Sequence, residues 1–394
     1  MKAAIIGASS ESLHTIQKAK EYNLTVIALD GNEKAEGLTA ADEAIVVNIS
    51  KEEETIQCVE EEKIDFVLTV PIGRYLTTIG SVNDTLNLPG IGKKQAMYCT
   101  DKLLFHNKMK ENGLRNCVCV EAVETREDRE KLFARIETGE QELQFPSILK
   151  PRYGSGSRGI HFVNDMQELQ EALEVTCGES YVLEECACGE EYGLDGAVID
   201  GKFYLVLLRH KENTPLPARQ AVAYFSVMPE DEFYGQVKTF MEKTVEVLEL
   251  QECLLHADLI RTETGPFMIE MSARPSGHNL HNLFTPLCTG VDVAEQYIRH
   301  RMGMGCNFVP EKTKRMMIHY FDLEGEVNTV PNIEKIESCL GIKPVIWQCN
   351  IKEGDILAKV SDGHSLMGRG YFVLEGKCEE DLKEIAEKIK SLFL

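Results

Sequence analysis

Two carboxylates, a histidine, a serine and an arginine recur at alternate positions in the stretch "CLLHADLIRTETGPFMIEMSARPSGHN", Cys253 to Asn279. The apolar alternation on either side of Glu263-Thr264-Gly265 predicts a β-hairpin centred near Thr264. In that register Asp258 faces Glu270 and His256 faces Ser272, and Arg274 points the same way because side chains two apart share a face. Opposed carboxylates repel unless one is protonated or a cation lies between them. Hard oxygen donors of this kind suit Mg²⁺, which commonly takes one or two carboxylates and completes its shell with phosphates. The plainer alternative is a solvated hairpin face.

A second stretch, "FPSILKPRYGSGSRGIHFV" from Phe145 to Val163, sets Lys150 at the end of an apolar strand. Gly154, Ser155, Gly156, Ser157, Arg158 and Gly159 then make a loop longer than a hairpin requires. Small residues let backbone N–H groups approach oxyanions closely, and lysine and arginine stand beside them, so the loop suits a phosphate chain. A surface hairpin is the rival. A third stretch, "SYVLEECACGEEYGLDGAVIDGKFYLVLL", runs a strand into Glu184 and Glu185, then Cys186, Ala187 and the acids Glu190 and Glu191. An exposed strand edge there could bind an adenine, and a carboxylate a ribose hydroxyl.

The elements that must position these residues fall into three sections. Residues 1–99 alternate apolar strands ("KAAII", "LTVIALD", "EAIVVNI", "DFVLTV") with helical segments, which predicts βαβ units and a parallel sheet. Gly7 lies at a carboxyl strand end, where such sheets bind ligands, but the turn is not G-x-G-x-x-G. "TDKLLFHNKMKENGL" reads as a helix capped by Thr100 and stopped at Gly113, with Lys102 in its first turn. Residues 100–305 mix short strands, a helix over 165–175 and long hairpins. Residues 306–394 add further strands and a helix over 379–393.

At 394 residues with 43% hydrophobic and 27% charged residues, the chain has the composition of a soluble multidomain protein. A net charge of −22 argues against nucleic-acid binding, which relies on lysine and arginine. The start lacks a signal peptide's apolar run, and no run reaches a membrane span. Thirteen cysteines without such a signal read as reduced cytoplasmic thiols. The Cys117-x-Cys119 and Cys186-x-Cys188 spacings are too short for ordinary zinc pairs. His278 and His281 suit hydrogen bonding better than metal binding, and His210 follows a strand aimed at the same region.

In order and spacing, "DK" at Lys102, "LKPRYGSGSRG", "VLEECACGEEYGLDG", "HADL" and "EMSARPSG" resemble the ATP-grasp superfamily of carboxylate–amine ligases, over about residues 1–305. The section from Cys306 is similar, less specifically, to the C-terminal domain of biotin carboxylase-type members and bacterial amino-acid ligases. The resemblance implies an α/β and α+β chain: a Rossmann-like pre-ATP-grasp domain (1–99), an ATP-grasp domain (100–305) and a lid-like α+β domain (306–394). It implies ATP with Mg²⁺ or Mn²⁺ as cofactors, phosphate contacts from Lys102 and Lys150, and a loop from Gly154 to Gly159 over the β- and γ-phosphates. Backbone from Glu184 to Ala187 would read the adenine, Glu191 the ribose. Asp258 and Glu270 would hold the metal, and Arg274 would face an acyl phosphate. Ser276, Gly277 and His210 are expected substrate contacts. Ser272 stands where the family often has Asn, a weaker ligand for a second metal.

The implied activity is ATP-dependent C–N ligation of a small carboxylate and an amine, in a cytoplasmic homodimer without nucleic-acid or membrane partners. Amino-acid ligation is one version. Purine-type synthesis with bicarbonate or formate and a ribonucleotide amine is another, and a nucleotide-binding module without turnover is the third.

Overall fold

The computed structural model describes all residues except 116–118, 123, 155–158, 216–218, 361–362 and 394. Ser155, Gly156, Ser157 and Cys117 therefore lie outside the described residues. The N-terminal strands β1 (Lys2–Ile6), β2 (Thr25–Asp30), β3 (Glu43–Val46) and β4 (Phe66–Val67) form a parallel sheet in the order β3-β2-β1-β4. Near-continuous apolar strands such as Lys2–Ile6 are what a sheet covered on both faces requires, and Ala3 to Ile6 are all fully buried.

Next come β5 (Cys119–Ala122), β6 (Ser147–Pro151), β7 (His161–Val163) and β8 (Tyr181–Glu185), an antiparallel sheet ordered β5-β8-β6-β7. Two helices back it. Met166–Val175, capped by Asp165, was expected; Arg126–Glu137 was not, since its apolar positions are few and its surface highly charged. Leu132, Ile136, Leu149, Leu169, Leu173 and Leu183 pack together beneath them.

The largest sheet joins β9 (Glu190–Ile199), β10 (Lys202–Asn213), β11 (Ala221–Ser226), β12 (Cys253–Thr262) and β13 (Gly265–Ser272) to β14 (Met316–Tyr320). Two short strands, β15 (Gly325–Glu326) and β17 (Ile356–Leu357), pair beside it. With β16 (Ile346–Cys349) and β18 (Gly370–Glu375), the eight-stranded order is β13-β12-β9-β10-β11-β14-β18-β16. Strands after residue 305 thus continue the sheet that carries the hairpin.

Apolar residues of β9 and β12, among them Leu194, Val198, Leu255 and Leu259, share one core with Ile6, Ile27, Leu29 and Val67 of the N-terminal section. This common core fixes the Gly7 loop and the loop after β4 against the hairpin. The helix Lys102–Glu111 is capped by Asp101, whose side chain accepts from the Leu103 and Leu104 N–H groups, rather than by the expected Thr100.

Candidate functional site

The β12–β13 hairpin has the register read from sequence, with Asp258 opposite Glu270 and His256 opposite Ser272. An irregularity after Asp258 shifts the remaining pairs, so the turn comes at Glu263-Thr264. Each opposed acid meets its own lysine. Lys211 Nζ on β10 lies 2.5 Å from Asp258 Oδ1, and Lys102 Nζ lies 3.8 Å from Glu270 Oε2. Burial alone would raise the Asp258 carboxyl, but Lys211 and then His256 outweigh it and the pKa is lowered. Sequence reading missed Lys211, since nothing in its local stretch ties it to a strand some forty-seven residues on.

Lys102 also donates to the Gly154 carbonyl at 2.8 Å, so this one side chain joins the helix start, the glycine loop and the hairpin. Burial lowers its pKa, with Glu270 opposing and the charge of Lys150 adding to the effect. Asp101 holds the loop's stem, accepting from Arg152 Nε at 2.8 Å and Arg152 Nη2 at 2.7 Å. Gly154 at φ +140° and Gly159 at φ +68° bracket the loop in conformations that disfavour a side chain. A Cβ at Gly159 would also lie 2.8 Å from the Tyr181 hydroxyl.

Lys150 is 3% exposed and forms an ion pair with Glu184, whose other oxygen accepts from Arg115 Nη2 at 2.6 Å. His106 Nε2 stands 3.0 Å from that same oxygen but out of hydrogen-bond alignment. Burial presses His106 down to about 4, so it is neutral at pH 7. Burial works to raise the Glu184 carboxyl as well, yet Lys150, His106 and Arg115 hold it well below the ordinary carboxylate range. Glu184 is therefore a charge partner by side chain. Its backbone pairs with Cys119 on one side and Ile148 on the other, so β8 is an interior strand. The expected strand edge can begin only past Glu185, whose carboxylate accepts from the Gln144 N–H at 3.2 Å. The Cys186 N–H is spent on the Pro146 carbonyl at 2.9 Å, and Ala187 follows it. Glu191 accepts from Arg219 Nε at 2.6 Å and from Asn213 Nδ2 at 3.0 Å.

A pocket opens between these groups, lined by Ile72, Gly73 and Arg74 of the N-terminal section, Lys102, Gly154, and the hairpin residues His256, Glu270, Ser272 and Arg274. His256 Nδ1 donates to the Leu194 carbonyl at 3.0 Å, and its Nε2 lies 3.6 Å from Asp258 Oδ1. Arg274 Nη1 donates to the Pro275 carbonyl at 2.8 Å, while its buried Nε has no partner among the described residues. Beside it, fully buried Arg209 pairs with Asp195 at 2.5 Å. Ser276 is fully buried, and its carbonyl contacts His281 Nδ1. Gly277 packs on Glu11. His210 is not brought to this site: adjacent to Lys211, it occupies the other face of β10, with Nδ1 2.8 Å from Glu379 of the C-terminal helix.

Among the described residues no three His, Cys, Asp or Glu come together as ligands. A cation at the hairpin would have two protein carboxylates and draw its remaining oxygens from phosphate and water, which fits Mg²⁺.

Residues 143–281, which hold the glycine loop, Glu184 and the whole hairpin, match the ATP-grasp domain family. The chain carries a segment that matches an ATP-grasp domain. It is similar to the L-arginine-specific L-amino acid ligase of Bacillus subtilis, at 21% identity over 81% of this chain and 77% of that one. By fold it is similar to an L-amino acid ligase from Bacillus licheniformis, with TM-score 0.77 and 18% identity over 99% of this chain and 97% of that one. It is also similar to a phosphoribosylglycinamide synthetase from Anaerococcus prevotii, with TM-score 0.73 and 18% identity over 98% and 97%. The N-terminal parallel sheet and large antiparallel sheet agree with the fold class expected from sequence. No helix among the described residues is long and apolar enough to cross a membrane.

Proposed function

We propose that this protein is an ADP-forming carboxylate–amine ligase acting on amino acids through an acyl phosphate. The observation that carries the reading is Lys102, which bridges the Gly154 carbonyl and Glu270 and so stands where a phosphate chain would pass from loop to hairpin. A carboxylate oxygen of the first substrate attacks the γ-phosphorus, and the bond from that phosphorus to the β,γ-bridging oxygen breaks, releasing ADP. The amine of the second substrate then attacks the acyl carbon, phosphate leaves, and the amine loses a proton.

Such transfers need positioning and charge neutralisation rather than a protein nucleophile. Lys102 and Lys150 neutralise the phosphates, the latter exchanging part of its pairing with Glu184. The Gly154–Gly159 loop covers them, Cys186 and Ala187 meet the adenine, and Glu191 meets the ribose once Arg219 yields. Asp258 and Glu270, with Ser272 beside them, would hold Mg²⁺, which would supply positive charge to offset that of the phosphates. Arg274 orients the carboxylate under attack. On this reading residues 1–99, 100–305 and 306–394 act as pre-ATP-grasp, ATP-grasp and covering domains. The cytoplasmic setting rests on cysteines that are free among the described residues, and the homodimer on the resemblance alone.

The test is ADP release with ATP, Mg²⁺ and a matrix of acids and amines, with hydroxylamine as the trapping amine. Hydroxamate formed from an amino acid is the expected result. ADP release only with bicarbonate or formate and a ribonucleotide amine would replace this reading with purine-type synthesis. No ADP with any pair would leave a binding module.

A further inference from the structure

Residues 186–189 carry the chain from β8, in the four-stranded sheet, to β9, in the eight-stranded one. Both ends of this passage are tied. The Cys186 N–H donates to the Pro146 carbonyl at 2.9 Å. Gly189, at φ +150°, lies so close to β12 that a Cβ there would stand 2.1 Å from the Arg261 carbonyl. Between the ties stand two free thiols with only Ala187 separating them; Cys188 is exposed and Cys186 half-buried. Their sulfurs fold back on the same short stretch, Cys186 Sγ 3.7 Å from the Ala187 carbonyl and Cys188 Sγ 4.0 Å from the Cys186 carbonyl. Burial raises the Cys186 thiol, and so does the charge of Cys188; Glu184 and Glu191 add to this while Arg219 opposes it.

Two Cα–Cα steps of about 3.8 Å each put the two cysteine Cα atoms up to about 7 Å apart, whereas a disulfide needs about 4.4–6.8 Å. Bridging the pair therefore bends the backbone at Ala187. Because the ends are held at Pro146 and Arg261, the peptide groups of Cys186, Ala187 and Cys188 must absorb that bend. A strained, exposed disulfide of this kind is reduced easily, which is the property of a bond that forms and breaks with the state of the thiol pool.

We propose that Cys186 and Cys188 form a reversible disulfide that turns the Ala187 backbone away from the adenine and so lowers nucleotide affinity when the thiol pool is oxidised. This rests on the adenine placement in the ligase reading above. The exposed Cys188, as thiolate, attacks one sulfur of a small disulfide such as oxidised glutathione and expels the first thiolate. The Cys186 thiolate then attacks the Cys188 sulfur of that mixed disulfide and expels the second. The two protein thiols give up two protons and two electrons, and the small disulfide takes them up as two thiols. A dithiol reverses both steps.

The test treats the full chain with oxidised glutathione, maps its thiols and measures ATP affinity by calorimetry. Cleavage after Glu185 and Glu190 isolates both sulfurs in one peptide, whose mass and resistance to alkylation read the bridge directly. The bridge should form and the Kd for ATP should rise about tenfold, as for one lost hydrogen bond, and dithiothreitol should restore both. Cys188→Ser should bind ATP as the reduced protein does and keep that affinity in oxidised glutathione. Cys186→Ser should stop at the mixed disulfide, with glutathione retained on Cys188. Thiols that stay open to alkylation, or a bridge with unchanged ATP affinity, would overturn the proposal and leave the ligase reading standing. An equal loss of affinity in Cys188→Ser would do the same, by placing the effect on another cysteine. If the reduced protein binds no ATP, the proposal and the ligase reading both fall.

Discussion

Replacing Glu184 by glutamine isolates the charge that holds Lys150 in place. Side-chain exposure is 6% for Glu184, 4% for Lys150 and 3% for Arg115, so none of the three is solvated. Arg115 would keep its bond to the Met268 carbonyl at 3.0 Å and its place over the Phe267 ring. Lys150 would lose its only ion-pair partner among the described residues. Removing one member of a buried pair typically costs about 3–5 kcal/mol, because the other charge stays buried and uncompensated. Urea unfolding of Glu184→Gln at pH 7 should therefore show a loss of about that size, and Glu184→Gln/Lys150→Met should recover about half of it.

The sign of the pH dependence follows from a folded carboxyl held below its ordinary value of 4.5. The stability it contributes is complete above that value and drains away as pH falls from there towards the folded pKa. The gap between the two proteins should accordingly narrow in acid. A loss under about 0.5 kcal/mol at pH 7, typical of surface substitutions, or a gap that widens in acid, would refute the reasoning.

Two further outcomes test the hairpin. Asp258→Asn should raise the Mg²⁺ concentration for half-maximal ADP release about tenfold or more. An unchanged metal titration would remove the hairpin as metal site. Arg274→Ala should lower kcat by about 10²–10³ and leave ATP affinity, measured by calorimetry, nearly unchanged. A loss confined to ATP affinity would place Arg274 on the nucleotide instead.

Local pattern was enough to determine much of this protein. The alternation around Thr264 gave Asp258–Glu270 and His256–Ser272 as pairs, because strand periodicity and a tight turn leave few registers. Lys150 before a glycine-rich loop, and alternating strands and helices up to residue 99, were legible for the same reason: each is a short-range rule. Where side-chain capping competes between neighbours, as at Thr100 and Asp101, the short-range rule named the segment but not the atom.

Tertiary structure alone decided who neutralises whom. Lys211 reaches Asp258 because β9 places β10 near β12, and Arg115 and His106 reach Glu184 across sixty-nine and seventy-eight residues. The interior position of β8 and the turning away of His210 depend on sheet order and strand face, which no local window contains. The approach of Glu11 to Gly277 depends on a core shared between the N-terminal sheet and the hairpin's sheet. Charge partners act through space at a few ångströms, whereas sequence patterns report only neighbours along the chain. The chemistry of the individual groups was therefore readable in the sequence, and their pairing was not.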